Sequence, residues 1–332
     1  MKTILITGGT GFVGSNLAEE LLRRGYAVRI LRRETSDLRA IAGMPVEHRI
    51  GDVRDLESLK RAMDGCDTVF HTAALVTFER SKAALQWEIN VHGTRNVVDA
   101  CLAANVERLV HTSSIAALGH PPDGELATEE TPFNWNQTWG YKYSKHKAED
   151  EILAGVARGL HAVIVNPSVI IGERDIHFHG GDILRRVLKK QVPFYINGGM
   201  NVVYVGDVVR GHIAAAECGR VGERYILGGE NLTHKEIFTR TALTLGVRPP
   251  LAALPIPLLR FAASVIERGS KLVGIEPMIT REMIAGAGRK NWYSSAKAQR
   301  ELGYTVTPFD EALRRTYAWY TKSGLLPSSP RR

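Results

Sequence analysis

The first fourteen residues constrain the fold more than any other stretch. A short apolar run, Thr3-Ile4-Leu5-Ile6-Thr7, breaks into Gly8-Gly9-Thr10-Gly11-Phe12-Val13-Gly14, and an amphipathic helical pattern follows over residues 15–24. Strand, glycine turn and helix in that order form the context in which such glycines mark dinucleotide binding. Gly9, Gly11 and Gly14 fit G-x-G-x-x-G, while Thr7-Gly8, Gly11 and Gly14 equally fit T-G-x-x-G-x-x-G. The early glycines permit a tight turn and let backbone approach a pyrophosphate. The last lets the helix pack closely on the strand, and the helix N-terminus offers free N–H groups and positive dipole to phosphate. Gly8, Thr10, Gly11, Phe12, Val13 and Gly14 are therefore expected to bind cofactor. The alternative is a turn that only reverses the chain.

The same rhythm continues downstream. Strand patterns at residues 26–31, 46–50, 67–70, 108–112 and 162–166 alternate with helix patterns at 55–63, 82–105 and 140–158, with Asp55 as an N-cap. Such alternation predicts an α/β fold: a Rossmann-type, doubly wound parallel sheet with right-handed crossovers. Ligands then sit at the carboxyl ends of the strands, where every motif below falls. The 332 residues allow roughly two domains. Residues 1–170, completed by 202–227, are expected to form the dinucleotide-binding domain, and 171–201 with 228–332 a smaller C-terminal substrate-binding part. In that part Leu258, Phe261, Ala262, Val265 and Ile266 share one helical face, read as packing rather than a membrane surface.

Bulk properties exclude several classes. The net charge of +8 is dispersed along the chain, which argues against nucleic acid and suits phosphate-bearing ligands. No apolar run approaches the roughly 18 residues of a membrane span. Met1-Lys2 leads straight into the first strand, so no signal peptide is expected. Cys66, Cys101 and Cys218 lie far apart without metal-ligand spacing, as in a reducing, cytoplasmic compartment.

Cofactor choice is read at the end of the second strand, where a carboxylate favours NAD and arginine accommodates the 2′-phosphate of NADP. Arg32-Arg33 follow that strand directly, with Glu34 next, so the reading is NADP with NAD possible. For the chemistry, Tyr141 and Lys145 stand four apart on one helical face. A phenol is a poor acid–base group at neutral pH, and a neighbouring ammonium is expected to lower its pKa. Ser114, just past the fifth strand, supplies a second donor to a carbonyl oxygen that gains charge as hydride arrives at carbon. Tyr143 faces away from this pair.

These motifs together resemble an extended short-chain dehydrogenase/reductase over nearly the whole chain. The resemblance rests on residues 7–14, Gly51-Asp52-Val53, His71-Thr72-Ala73-Ala74, Asn90-Val91-His92-Gly93-Thr94, Thr112-Ser113-Ser114, Tyr141 with Lys145, and Asn166-Pro167-Ser168. It implies Ser114, Tyr141 and Lys145 as the catalytic set, with Tyr141 and Lys145 also at the cofactor and Lys145 on the nicotinamide ribose. It further implies Asp52 and Val53 at the adenine, Ala73 and Ala74 along the cofactor, and Pro167 near the nicotinamide. Asn90 is either a member of this site or a packing amide. Residues 166–172, 222–231 and Ser294-Ser295-Ala296-Lys297 are similar to dihydroflavonol-4-reductase-like proteins, including a hopanoid-associated bacterial branch. Two departures bear on the reaction. Ile115-Ala116-Ala117 stands where sugar-nucleotide dehydratases carry an Asp-Glu pair, and Ala117-Leu118-Gly119 where epimerases often show Val-Tyr-Gly.

No metal site is expected. His177 and His179, with Asp175 or Asp182, form a tempting set, but a substrate loop presenting imidazoles is the better reading. Phe133, Trp135 and Trp139 either wall a ring-shaped substrate or pack. The expectation is an NADP-dependent oxidoreductase acting on a small-molecule ketone or secondary alcohol; the alternative is a nucleotide-sugar epimerase that recycles a retained cofactor. The resemblance also implies a homodimer through the helices at 82–105 and 140–158.

Overall fold

The computed structural model describes residues 2–122, 124–135, 140–257 and 288–328, together with 259, 261, 264 and 286. Strands β1 (Thr3–Thr7), β2 (Ala27–Arg32), β3 (Glu47–Ile50), β4 (Thr68–His71), β5 (Arg108–Thr112), β6 (Ala162–Pro167) and, late in the chain, β10 (Arg224–Leu227) form one sheet. Its order is β10-β6-β5-β4-β1-β2-β3 and every pairing is parallel. Chain order reverses between β1 and β4, and the cleft opens there.

Helices cover both faces, which is why β1 reads as a nearly unbroken apolar run. Ile4 and Ile6 point into one core with Leu17 and Leu21 of α1 (Phe12–Arg23), and Leu5 points into the other with Leu59 and Val97. That second core lies under α2 (Leu56–Met63), α4 (Gly93–Ala103) and α5 (Gly140–Ala157). Asp55 caps α2 as expected, its carboxylate accepting from the backbone of Glu57 and Ser58. The single helix expected at 82–105 is instead α3 (Ala83–Trp87), a π turn (Glu88–His92) and α4.

A smaller sheet carries β7 (Val169–Ile171), β9 (Gly199–Tyr204), β11 (Glu230–Thr233) and β13 (Lys290–Asn291), with β8 (Phe194–Ile196) and β12 (Ala252–Leu254) as a separate pair. β9 opens the segment 202–227 and belongs to this smaller sheet, while the helix it leads into, α6 (Val205–Cys218), packs on α1. Ile171, Leu184, Val202, Leu232, Ile237 and Leu313 form the core here. Leu258, Ala262, Val265, Ile266 and Trp139 lie outside the described residues, and Phe261 of the apolar stripe is exposed. Among the described residues no helix is long and apolar enough to cross a membrane.

Candidate active site

At the cofactor end, backbone geometry dominates. Gly8 has φ +71°, and a Cβ there would meet the backbone N of Ala73 at 2.6 Å. A Cβ on Gly14 would meet the Gly8 carbonyl oxygen at 2.4 Å, so strand, turn and helix close only on glycine. Gly11 is the N-cap of α1; no side chain caps it and the first turn holds no acid. The first N–H groups are thus left for an anion.

A cavity of about 550 Å³ opens beside this turn. Of the expected cofactor residues, Gly8, Thr10, Gly11, Arg32, Arg33, Asp52, Val53, Ala73 and Ala74 line it. Phe12, Val13, Gly14, Tyr141, Lys145 and Pro167 do not; Phe12 and Val13 lean on the cores, and Gly14 acts through its lack of a side chain. Thr35, Ser36, Asp37, Leu75, Ile89, His177 and His179 also line the cavity and were not expected there. Of these, Thr35-Ser36-Asp37 could have been noticed as a polar run behind the arginine pair. Glu34 is exposed and not on the wall. Asp52 is engaged by Arg54 through Nε (3.0 Å) and Nη2 (2.8 Å), which holds its carboxyl below the usual range.

At the other end, side chains do the positioning. Ser114 follows β5 and caps a short turn, its Oγ accepting from Ala116 N at 3.1 Å. Tyr141 comes from the first turn of α5 and its hydroxyl hydrogen-bonds Ser114. Burial pushes the phenol up, with the Ser114 bond working the other way. This corrects the expectation of a lowered phenol: Lys145 Nζ donates to Thr112 O at 2.7 Å, and loss of water at Tyr141 outweighs the rest. Lys145 is itself 2% exposed, and burial lowers its ammonium to about 8 against the opposing pull of Glu149.

Ser114 is held from behind. Asn166 Nδ2 donates to the Ser114 carbonyl (3.0 Å) and to Glu149 Oε1 (2.7 Å), and Glu149 pairs with Arg224 at 2.8 Å. This chain links β10, α5 and β6, and Glu149 at its centre belongs to no motif. Asn90 sits in the π turn, a helix irregularity often found at functional sites. It accepts from Leu75 N (2.8 Å) and donates to Leu75 O and Ser144 Oγ. Gln86 Nε2 binds the carbonyls of Leu75 and Thr77. The two amides clamp the loop after Ala74 and bring the Phe78 ring edge-on to Tyr141, centroids 6.0 Å apart, with Phe78 81% exposed. Phe78 was missed in the sequence, where only the apolar alternation Val76-Thr77-Phe78 after a strand end could have flagged it.

Phe133 and Trp135 pack. Phe133 stacks on His146 at 4.2 Å, Trp135 Nε1 donates to Leu118 O at 2.8 Å, and Tyr143 faces Trp87, away from Tyr141.

Comparison with known proteins gives the family. Residues 4–228 match the model of the NAD dependent epimerase/dehydratase family. A protein of Synechocystis sp. named "Putative dihydroflavonol 4-reductase" is 36% identical over 96% of this chain and 94% of its own length. "Sterol demethylase protein B" of Methylococcus capsulatus is 31% identical over 98% of this chain and all of its own. The crystal structure of gox2253 superposes with a TM-score of 0.88 at 39% identity, covering 98% of this chain and 100% of that one. The chain therefore belongs to the NAD dependent epimerase/dehydratase family, the extended short-chain dehydrogenases/reductases, and is an NAD(P)-dependent enzyme.

Proposed function

We propose that the chain is an NADP-dependent oxidoreductase interconverting a ketone and a secondary alcohol on an apolar substrate. The observation that carries this is the Ser114–Tyr141 hydrogen bond beside buried Lys145. Two hydroxyls can donate to one carbonyl oxygen, and Tyr141 exchanges the proton as that oxygen gains or loses charge. Lys145 is one helical turn from Tyr141 on α5, and its ammonium, held on the Thr112 carbonyl, is assigned to the nicotinamide ribose. When bound, NADP(H) supplies or takes the hydride; the uncapped start of α1, Gly8 and the cavity fit its phosphates.

Arg32, Arg33, Thr35 and Ser36 on one wall, with Glu34 turned out, support NADP over NAD. The exposed Phe78 beside Tyr141 supports an apolar partner, as does the sterol-related name of the Methylococcus relative. Epimerases share the family, so the second reading is a nucleotide-sugar epimerase with a retained cofactor. The reading extends to a cytoplasmic homodimer through α3–α4 and α5, where Leu85 and Leu153 are exposed.

The test is mass spectrometry of nucleotide released from purified protein, with NADPH and NADH titrations. Freely exchanging NADPH, bound at least about tenfold more tightly than NADH, supports the reductase and a screen of cyclic ketones. Arg33→Glu should remove that preference. Tightly retained NAD overturns the reading in favour of the epimerase.

A further inference from the structure

We propose that His177 and His179 are the second, imidazole wall of a phosphate subsite whose first wall is Arg32 and Arg33. The proposal rests on the dinucleotide reading of the cleft and assigns a role to a loop that reading leaves unused.

The loop is built, not slack. Asp175 is fully buried, and its carboxylate accepts three backbone N–H groups: His179 at 2.8 Å, Gly180 at 3.0 Å and Gly181 at 3.0 Å. Two non-glycine residues stand in the left-handed region, Arg174 at φ +64° and Phe178 at φ +56°, a conformation that surrounding structure must impose. The anchors are visible. Arg174 reaches Glu19 and the Ala40 carbonyl, Phe178 stacks on Tyr320 at 4.7 Å, and Tyr320 donates to the Asp175 carbonyl at 3.0 Å. With Phe178 turned into the small core, its neighbours His177 and His179 both line the cofactor cavity, ring centroids 6.0 Å apart.

The set does not suit a metal. Asp175 is consumed by amides, and Asp182 by Arg185 and Arg186. It does suit an anion. The cavity wall carries Arg32 and Arg33, while its two carboxylates are already matched: Asp37 by Arg39 at 2.6 Å and Asp52 by Arg54 at 2.8 Å. His177 Nε2 lies 3.9 Å from Asp37 Oδ2, which places this ring beside the chain that follows β2. Imidazole N–H groups on a cavity wall that also carries two guanidiniums are donors for phosphate oxygens. Two phosphates of the dinucleotide present that chemistry: the 2′-phosphomonoester and the pyrophosphate.

The experiment titrates wild type, His177→Ala, His179→Ala and the double variant with NADPH, with 2′,5′-ADP and with ADP, checking each fold by circular dichroism and melting. The double variant should bind NADPH at least about tenfold more weakly. Loss confined to 2′,5′-ADP assigns the 2′-phosphate, and loss with ADP as well assigns the pyrophosphate. The double His→Gln variant, which keeps an N–H donor, should recover part of the affinity, guarding against a folding artefact. Wild type that binds NADPH beside a double variant within twofold for all three ligands overturns the proposal. Wild type that binds neither NADPH nor NADH overturns the cleft reading instead, a separate result.

Discussion

The two ends of the cleft are built on different principles. At the phosphate end the positioning is steric and local: Gly8 and Gly14 hold β1, turn and α1 together because a Cβ on either would strike backbone at 2.6 and 2.4 Å. At the chemical end it is polar and distributed, with Arg224, Glu149 and Asn166 reaching Ser114 from three elements and Asn90 and Gln86 clamping the loop that carries Phe78. Damage at the first end should remove cofactor binding and fold together. Damage at the second should change turnover while the fold survives.

Gly8→Ala should break the first end outright. It combines left-handed strain of roughly 1–2 kcal/mol with overpacking of about 1–3 kcal/mol. Nucleotide affinity and melting temperature should fall together, and a variant that melts like wild type while binding NADPH normally would contradict the steric picture.

A smaller effect is expected behind the chemical end. His71 and His212 are fully buried, each between hydrogen-bond partners, and burial holds them down at about 3 and about 4. Their folded pKa values lie below the unfolded value near 6.5, so the unfolded state binds more protons between those limits. Stability is therefore retained above about pH 6.5 and lost as pH falls toward 4, by about 1.4 kcal/mol per unit for each ring. His212→Gln should flatten the acid limb of a urea-stability profile relative to wild type; an unchanged limb would remove His212 from that role. Smallest of all, Phe78→Ala should leave stability within roughly 0.5 kcal/mol, because the ring is exposed, while raising KM for apolar ketones several-fold. A lowered melting temperature with unchanged KM would make Phe78 a packing residue.

The contrast also explains what the sequence disclosed. Glycine spacing between a strand and a helix is a local signal, so the parallel sheet and the phosphate turn were legible from residues 3–14 and the alternation after them. Tyr141 and Lys145 were legible because four residues of helix place them on one face. Glu149 and Arg224 were not: their pairing joins residues far apart in sequence, and an isolated Glu on α5 reads as solvent-facing until packing buries it. Phe78 was hidden for the same reason, since its position depends on Asn90 and Gln86 folding back on Leu75 and Thr77. The expected lowering of Tyr141 failed because charge was counted and desolvation was not. The π turn at Glu88–His92 interrupts what periodicity reads as one helix, and no residue type marks such a turn.

The most direct measurement compares Tyr141→Phe with wild type in two assays on one preparation: NADPH affinity, and NADPH oxidation with the best ketone from the screen. The proposal gives the phenol hydroxyl to proton exchange, and Tyr141, expected also at the cofactor, does not line the cofactor cavity, so turnover should fall by roughly 10²–10⁴-fold while the NADPH Kd stays within about twofold. Turnover that survives the loss of this hydroxyl would contradict the assignment of Tyr141 and, with it, the Ser114–Tyr141 pair as the chemical centre.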